Sequence, residues 1–230
     1  MNGASRAMHN VGTISHNIAN ANTAGFKAAL VRASTEAVEG AGLPTRFNAI
    51  VNGDGHDASM GSMHTTGQPL DIALHSGHWL AVQAQDGSTA YTRAGDLRLD
   101  EFGQIQTASG HGVLGADGTI ALPPSATISI GADGAVSIIP QGQPAAAPAE
   151  IDTIRVMAEP PAGMQRRTDG LFEPVDQGEM TPGLGNVLVS GALEESNVSV
   201  ATALVDMIAQ QRQFETQVKL MKKADENAQR

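Results

Sequence analysis

Cysteine is absent from the 230 residues. Disulfides, thiolate nucleophiles, thiolate metal ligands and iron–sulfur clusters are excluded together. The compartment is not fixed by this, because a cysteine-free chain tolerates oxidising and reducing surroundings alike. Aromatic side chains are scarce: five Phe, Trp79 and Tyr91. Few platforms remain for stacking bases or sugar rings. Positive charge is also short, with 14 Lys and Arg against 24 Asp and Glu and a formal net charge of −10. A phosphate backbone demands a basic footprint, so nucleic-acid binding is not expected. No apolar run approaches the roughly 18 residues that a membrane-spanning helix needs, so membrane insertion is not expected. Residues 1–30 hold nothing like a secretory h-region, so a chain that leaves the cytosol is expected to do so without a cleaved signal peptide.

What is present is foldable. Apolar residues make up 41% and charged residues 17%, so the chain is not a low-hydrophobicity disordered polymer. Ala4, Ala7, Val11, Ile14 and Ile18 recur at alternating spacings of three and four, the stripe of an amphipathic helix. Asn20, Asn22, Thr23 and Gly25 follow, residues that compete with or leave helical geometry. The stripe is built largely of Ala and offers little area to bury, so this helix is expected to need neighbours.

Residues 43–191 read as β structure. Trp79–Gln83, Thr89–Arg93, Asp96–Leu99, Gln104–Thr107 and Thr127–Ile130 are short runs of strand formers. Between and after them come Asp86-Gly87, Gly95-Asp96, Phe102-Gly103, Asp117-Gly118, Asp133-Gly134 and Asp169-Gly170. Asp-Gly supplies the positive φ of tight hairpin turns, so the pattern predicts a hairpin meander rather than βαβ units. The Pro/Ala tract at 140–148 reads as an exposed loop, because Pro denies ladder hydrogen bonds.

Helical periodicity returns in residues 192–230. Val200, Leu204, Met207, Gln211, Phe214, Val218 and Met221 follow at alternating four and three, a heptad seam with Gln211 as its one polar member. Asn197 or Ser199 is a reasonable N-cap. The expected fold is therefore mixed α and β. A β-rich central domain (43–191) is flanked by an N-terminal helix with its Asn-rich exit (1–42) and a C-terminal helix (192–230), the two helices pairing as a coiled coil. Gln211 inside the seam is a candidate for fixing register.

Catalytic chemistry finds little footing. His75 and His78 stand at i, i+3 near Asp71, with His56 and His64 upstream, but no HExxH accompanies them, and solvated turn histidines account for the pattern. Asn52-Gly53-Asp54-Gly55-His56-Asp57 superficially resembles a calcium loop. It has Asp57 where the loop needs Gly and Met63 where it needs Glu. No G-x-S-x-G, Walker A or helix-opening GxGxxG occurs. Asp71, Asp96, Asp100 and Glu101 read as turn-forming and solubilising residues rather than an acid/base pair. No catalytic residue, metal or cofactor is expected.

Four motifs carry a resemblance. Asn17-Ile18-Ala19-Asn20-Ala21-Asn22-Thr23-Ala24-Gly25-Phe26-Lys27 resembles the N-terminal signature of bacterial flagellar rod and hook proteins. Gly67-Gln68-Pro69-Leu70-Asp71-Ile72-Ala73 and Ala90-Tyr91-Thr92-Arg93-Ala94-Gly95-Asp96 are similar to two internal segments of that family, with Leu97 where Phe is usual. Gly191-Ala192-Leu193-Glu194-Glu195-Ser196-Asn197-Val198 resembles the stretch that opens its C-terminal helix. The ending Ala224-Asp225-Glu226-Asn227-Ala228 is most like the proximal-rod members.

The resemblance implies a non-enzymatic subunit of the flagellar basal-body rod. Such subunits are exported unfolded by the flagellar type III apparatus and polymerise helically around a channel, with terminal helices inside and the β domain outside. The implied partners are other rod subunits and copies of the chain itself. The implied interface residues are both helical seams together with Asn17, Asn20, Asn22, Gly25 and Phe26. Family members begin several residues before the position of Gly3-Ala4, whereas this sequence starts at Met1-Asn2, so its first helix is expected to be short by about two turns. A distal-rod or hook role in the same family is the alternative. From another class, so is a β-rich binding or hydrolytic domain dimerised by its helices.

Overall fold

The computed structural model describes residues 2–37, 47–140, 148–176, 178 and 180–228. The chain forms two compact units, one of Met1–Ala21, Lys27–Ala58 and Val198–Arg230, the other of Asn22–Phe26 and Ser59–Asn197. Residues 47–58, expected with the central β region, thus belong with the helices, and 192–197, expected with the C-terminal helix, belong with the β unit. Residues 141–147 of the Pro/Ala tract lie outside the described residues.

In the first unit, α1 runs Asn2–Ala19 and α2 runs Val200–Ala228. Ala7 is buried and Val11, Ile14 and Ile18 are half-buried, while Met8, Gly12 and Ser15 face water, as the stripe predicts. Helix α1 stops where Asn20 donates from both its backbone N and its side-chain Nδ2 to the His16 carbonyl. Such competition for helical carbonyls is why Asn terminates helices. At the start of α2, Ser199 is the cap, its Oγ accepting from the Thr202 amide at 3.4 Å. Asn197 is engaged elsewhere, its Nδ2 donating to the Ser59 carbonyl. The two helices lie against each other, with Asn10 Nδ2 donating to Gln210 Oε1 at 3.3 Å. The unit is completed by an antiparallel pair, Ala29–Ala37 with Phe47–His56, in register Ala29 to His56 and bulged between Val31 and Ala33. The sequence reading had no strand at 29–37. The calcium-like segment is extended strand through His56, not a binding loop.

The second unit is the hairpin meander. Its main sheet orders the strands Met164–Arg166, Phe172–Pro174, Thr89–Thr92, His78–Gln83, Gly112–Val113, Ile105–Thr107 and Leu97–Leu99, and Val156–Ala158 also pairs with His78–Gln83. Ser125–Ile130, Ala135–Pro140 and Ala149–Thr153 form a separate antiparallel sheet. Three of the Asp-Gly turns work by one device. Asp86, Asp133 and Asp169 each accept, through Oδ1, the amide two residues on, while Gly87, Gly134 and Gly170 take positive φ. Inward residues such as Ile72, Leu80, Val82, Ile105, Val113, Val136 and Leu188 make the core, and Trp79, Met164, Phe172 and Met180 make a smaller second cluster. Among the described residues, no helix is long and apolar enough to cross a membrane.

Candidate functional site

The helical residues expected at an interface divide between two faces. On α2 the half-buried positions are Ala203, Met207, Gln210, Phe214, Gln217 and Val218. Met207, Phe214 and Val218 of the expected seam are among them. Val200, Leu204, Gln211 and Met221 are exposed, so the covered face is rotated from the one read from the sequence. The polar residue engaged with α1 is Gln210, not Gln211. The rotation leaves a second apolar stripe in water: Val200, Leu204, Val205 and Ile208 are 42%, 47%, 66% and 51% exposed, with Leu220 at 62% farther along. The side chain of Ala4 lies outside the description.

Asn17 is committed within the chain. Its Nδ2 donates to the Ala29 carbonyl at 2.9 Å and its Oδ1 accepts the Ala29 amide at 2.8 Å. This side chain completes both backbone groups of a strand residue as a neighbouring strand would. Asn20 caps α1, as above. Asn22 is exposed and makes no side-chain hydrogen bond among the described residues.

In the β unit the motif segments meet around a buried ion pair. Arg93 and Glu194 are 2% and 1% exposed in their side chains. Glu194 Oε2 accepts from Arg93 Nε at 2.7 Å and from Nη2 at 2.5 Å, and Glu194 Oε1 accepts the Gly61 amide at 3.0 Å. The guanidinium is completed by carbonyls: Nη1 donates to His75 and His78, and Nη2 to Leu74. The turn that carries the two histidines therefore serves Arg93 through its backbone.

Over this pair lies the exit segment. The Gly25 amide donates to the Glu194 carbonyl at 2.7 Å. Gly25 has φ +66°, and a Cβ there would run into the Arg93 carbonyl, so both conformation and space require glycine. The Phe26 ring sits 4.6 Å from the Arg166 guanidinium, which also lies over Phe172 at 5.0 Å. The Phe26 carbonyl accepts the Asn197 amide. The remaining motif residues close the circle. Gly191 donates to the Asp71 carbonyl at 2.7 Å, and Ile72 donates to the Gly95 carbonyl at 2.9 Å. Burial and the nearby Asp71 charge raise the Asp96 carboxyl above its usual range, and burial raises the Tyr91 phenol.

Three family models match the chain. They are the C-terminal model of flagellar basal body rod FlgEFG proteins over residues 189–230, the D1 domain of flagellar hook protein FlgE/F/G over 73–138, and the flagella basal body rod protein over 1–27. The flagellar basal-body rod protein FlgF of Escherichia coli (strain K12) is 39% identical over 236 residues, covering 99% of this chain and 93% of that protein. The chain belongs to the flagellar basal-body rod protein family. FlgF of Salmonella typhimurium is 36% identical over 99% of this chain and 92% of its own. FlgG of Buchnera aphidicola subsp. Acyrthosiphon pisum is 31% identical over 96% and 92%. Within the rod family this is a FlgF-like rod protein.

Within the β unit, Gly25 and Phe26 of the first motif thus meet parts of the other three around Arg93 and Glu194. Arg93 and Glu194 were both inside motifs quoted from the sequence, yet neither stood out as functional. Two opposite charges far apart in the chain have no local signature. Arg93 shares its motif with Asp96, and Glu194 stands beside Glu195, so the sequence alone does not single out the pair.

Proposed function

We propose that the chain is a structural, non-enzymatic subunit of the proximal rod, polymerising helically through its terminal helices to form part of the drive shaft and the channel through it. Its neighbours are other rod subunits and copies of itself. It reaches the periplasmic rod through the flagellar type III apparatus without a cleaved signal peptide. In the assembled rod α1 and α2 act as a coiled coil, and the parts 1–42 and 192–230 form the axial core around which 43–191 is arranged. The interface residues are Ala4, Ala7, Val11, Ile14, Ile18, Asn17, Asn20, Asn22, Gly25 and Phe26, with Val200, Leu204, Met207, Gln211, Phe214, Val218 and Met221.

The observation that carries this reading, beside family membership, is the second apolar stripe of α2. A helix that covers one face within its own unit and leaves Val200, Leu204, Val205 and Ile208 in water has a surface that association would bury. Each such side chain contributes about 1.5–3 kcal/mol when fully buried. Association through a stripe on one subunit and a different patch on the next is heterologous, and such contacts propagate into filaments. The test is Leu204→Ser combined with Ile208→Ser. The variant should keep the helical content and Trp79 fluorescence of the parent as a monomer, yet be missing from purified hook–basal bodies. Normal incorporation would overturn the assignment of this face.

A further inference from the structure

Val187–Asn197 does not behave as an ordinary part of the meander. Its strands are short: among the described residues, Leu188–Ser190 pairs with Ile72–Leu74 alone, and Ala192–Glu194 with Met63–Thr65 alone. It nevertheless touches segments from across the unit. Val187 donates to the Ala132 carbonyl, Gly191 to Asp71, Glu195 to Ser62 and Asn197 to Phe26, while the Gly191 carbonyl accepts from both Thr66 and Gly67. The central strands, by contrast, each have a partner near in sequence, such as His78–Gln83 with Thr89–Thr92 and Leu97–Leu99 with Ile105–Thr107, even where His78–Gln83 also takes the distant Val156–Ala158. Local pairings form before distant ones, because closing a long loop costs entropy before any contact rewards it. The Glu194-to-Gly61 bond spans 133 positions.

We propose that Val187–Asn197 is a strap that closes the β unit in its final folding step and captures the exit segment Thr23–Phe26 in the same event. Until the strap docks, Arg93 has no carboxylate, because Glu194 is the one bonded to it among the described residues. A buried guanidinium without its counter-ion is strongly unfavourable, so the pocket of Leu74, His75 and His78 carbonyls stays hydrated and open. When Glu194 arrives, its side chain neutralises Arg93 and its backbone carbonyl receives the Gly25 amide. One residue thus serves the charge and the exit segment together. The β unit is therefore complete only when the chain on both of its sides is in place. This goes beyond the rod reading and holds whatever the chain assembles with.

Native-state hydrogen exchange on the full chain tests it, since a strap that docks last opens first. The amides of Gly25, Gly191, Glu195 and Asn197 should exchange through one shared opening, at least 10-fold faster than those of Ile105, Leu114 and Ile120. Glu194→Gln should accelerate all four by a further 10-fold or more, because it removes the carboxylate that holds the docked strap to Arg93. Strap amides protected as well as the core would overturn the proposal, because no separate strap would then exist. Gly25 exchanging freely while the strap stays protected would overturn the joint capture. The wild-type measurement decides both points even if the variant fails to fold.

Discussion

Arg93 and Glu194 stand 101 positions apart, yet Glu194 Oε2 accepts from Arg93 Nε at 2.7 Å with both side chains almost entirely out of water. Desolvating two ions is costly, and the geometry offsets that cost by giving every face of the guanidinium a partner. Breaking such a pair from one side leaves the other charge stranded. Glu194→Gln is expected to destabilise the β unit by about 3–5 kcal/mol. Replacing both partners by Leu should cost clearly less than the single change, and urea unfolding followed by Trp79 fluorescence compares the two.

Glycine positions separate space from conformation. Gly25 and Gly87 have φ +66° and +82°, but a Cβ at Gly25 meets the Arg93 carbonyl whereas one at Gly87 meets nothing within 4 Å. Gly87→Ala should cost about 1–2 kcal/mol, the penalty of left-handed geometry for a residue with a Cβ. Gly25→Ala should cost more than that, and thermal unfolding of the two variants side by side measures the difference.

Asp86 gives a pH signature. Its carboxyl is held down to about 2 by the Ser88 hydroxyl first, then by the Ser88 amide and Arg167. A folded-state value below the ordinary 3.8 means that the group's contribution to stability is present above that value and lost as pH falls toward about 2. The carboxyl carbon of Asp86, followed by NMR, should show its midpoint near 2. Ser88→Ala should raise that midpoint more than Arg167→Gln does.

Asn17 should matter for the helical unit alone. Its amide side chain completes both backbone groups of Ala29. Asn17→Ala leaves a donor and an acceptor unmatched, which costs about 1–3 kcal/mol. Exchange at the Ala29 amide should rise accordingly, while Trp79 fluorescence in the β unit stays unchanged.

The legible parts of this molecule are those written in local pattern. Ala7, Val11, Ile14 and Ile18 marked the inward face of α1 because a single stripe of small apolar residues stands against polar neighbours. Asp86-Gly87, Asp133-Gly134 and Asp169-Gly170 marked turns because carboxylate and glycine each have a fixed job there. Helix α2 carries apolar residues on two faces, so spacing alone does not tell the covered face from the exposed one. Leu204 is the larger side chain, yet the small Ala203 lies on the covered face. Strand Ala29–Ala37 was missed because its Ala, Ser and Glu residues carry little strand preference, and its partner Phe47–His56 supplies the ladder. The ion pair escaped because only the fold brings Arg93 to Glu194.

Mass spectrometry of detergent-purified hook–basal bodies decides whether this chain is a rod subunit. Cells with and without the gene are compared. Its peptides should track the rod fraction, and basal bodies from the deletion strain should lack distal rod and hook. Peptides absent from that fraction, or complete hooks built without the gene, would contradict that role.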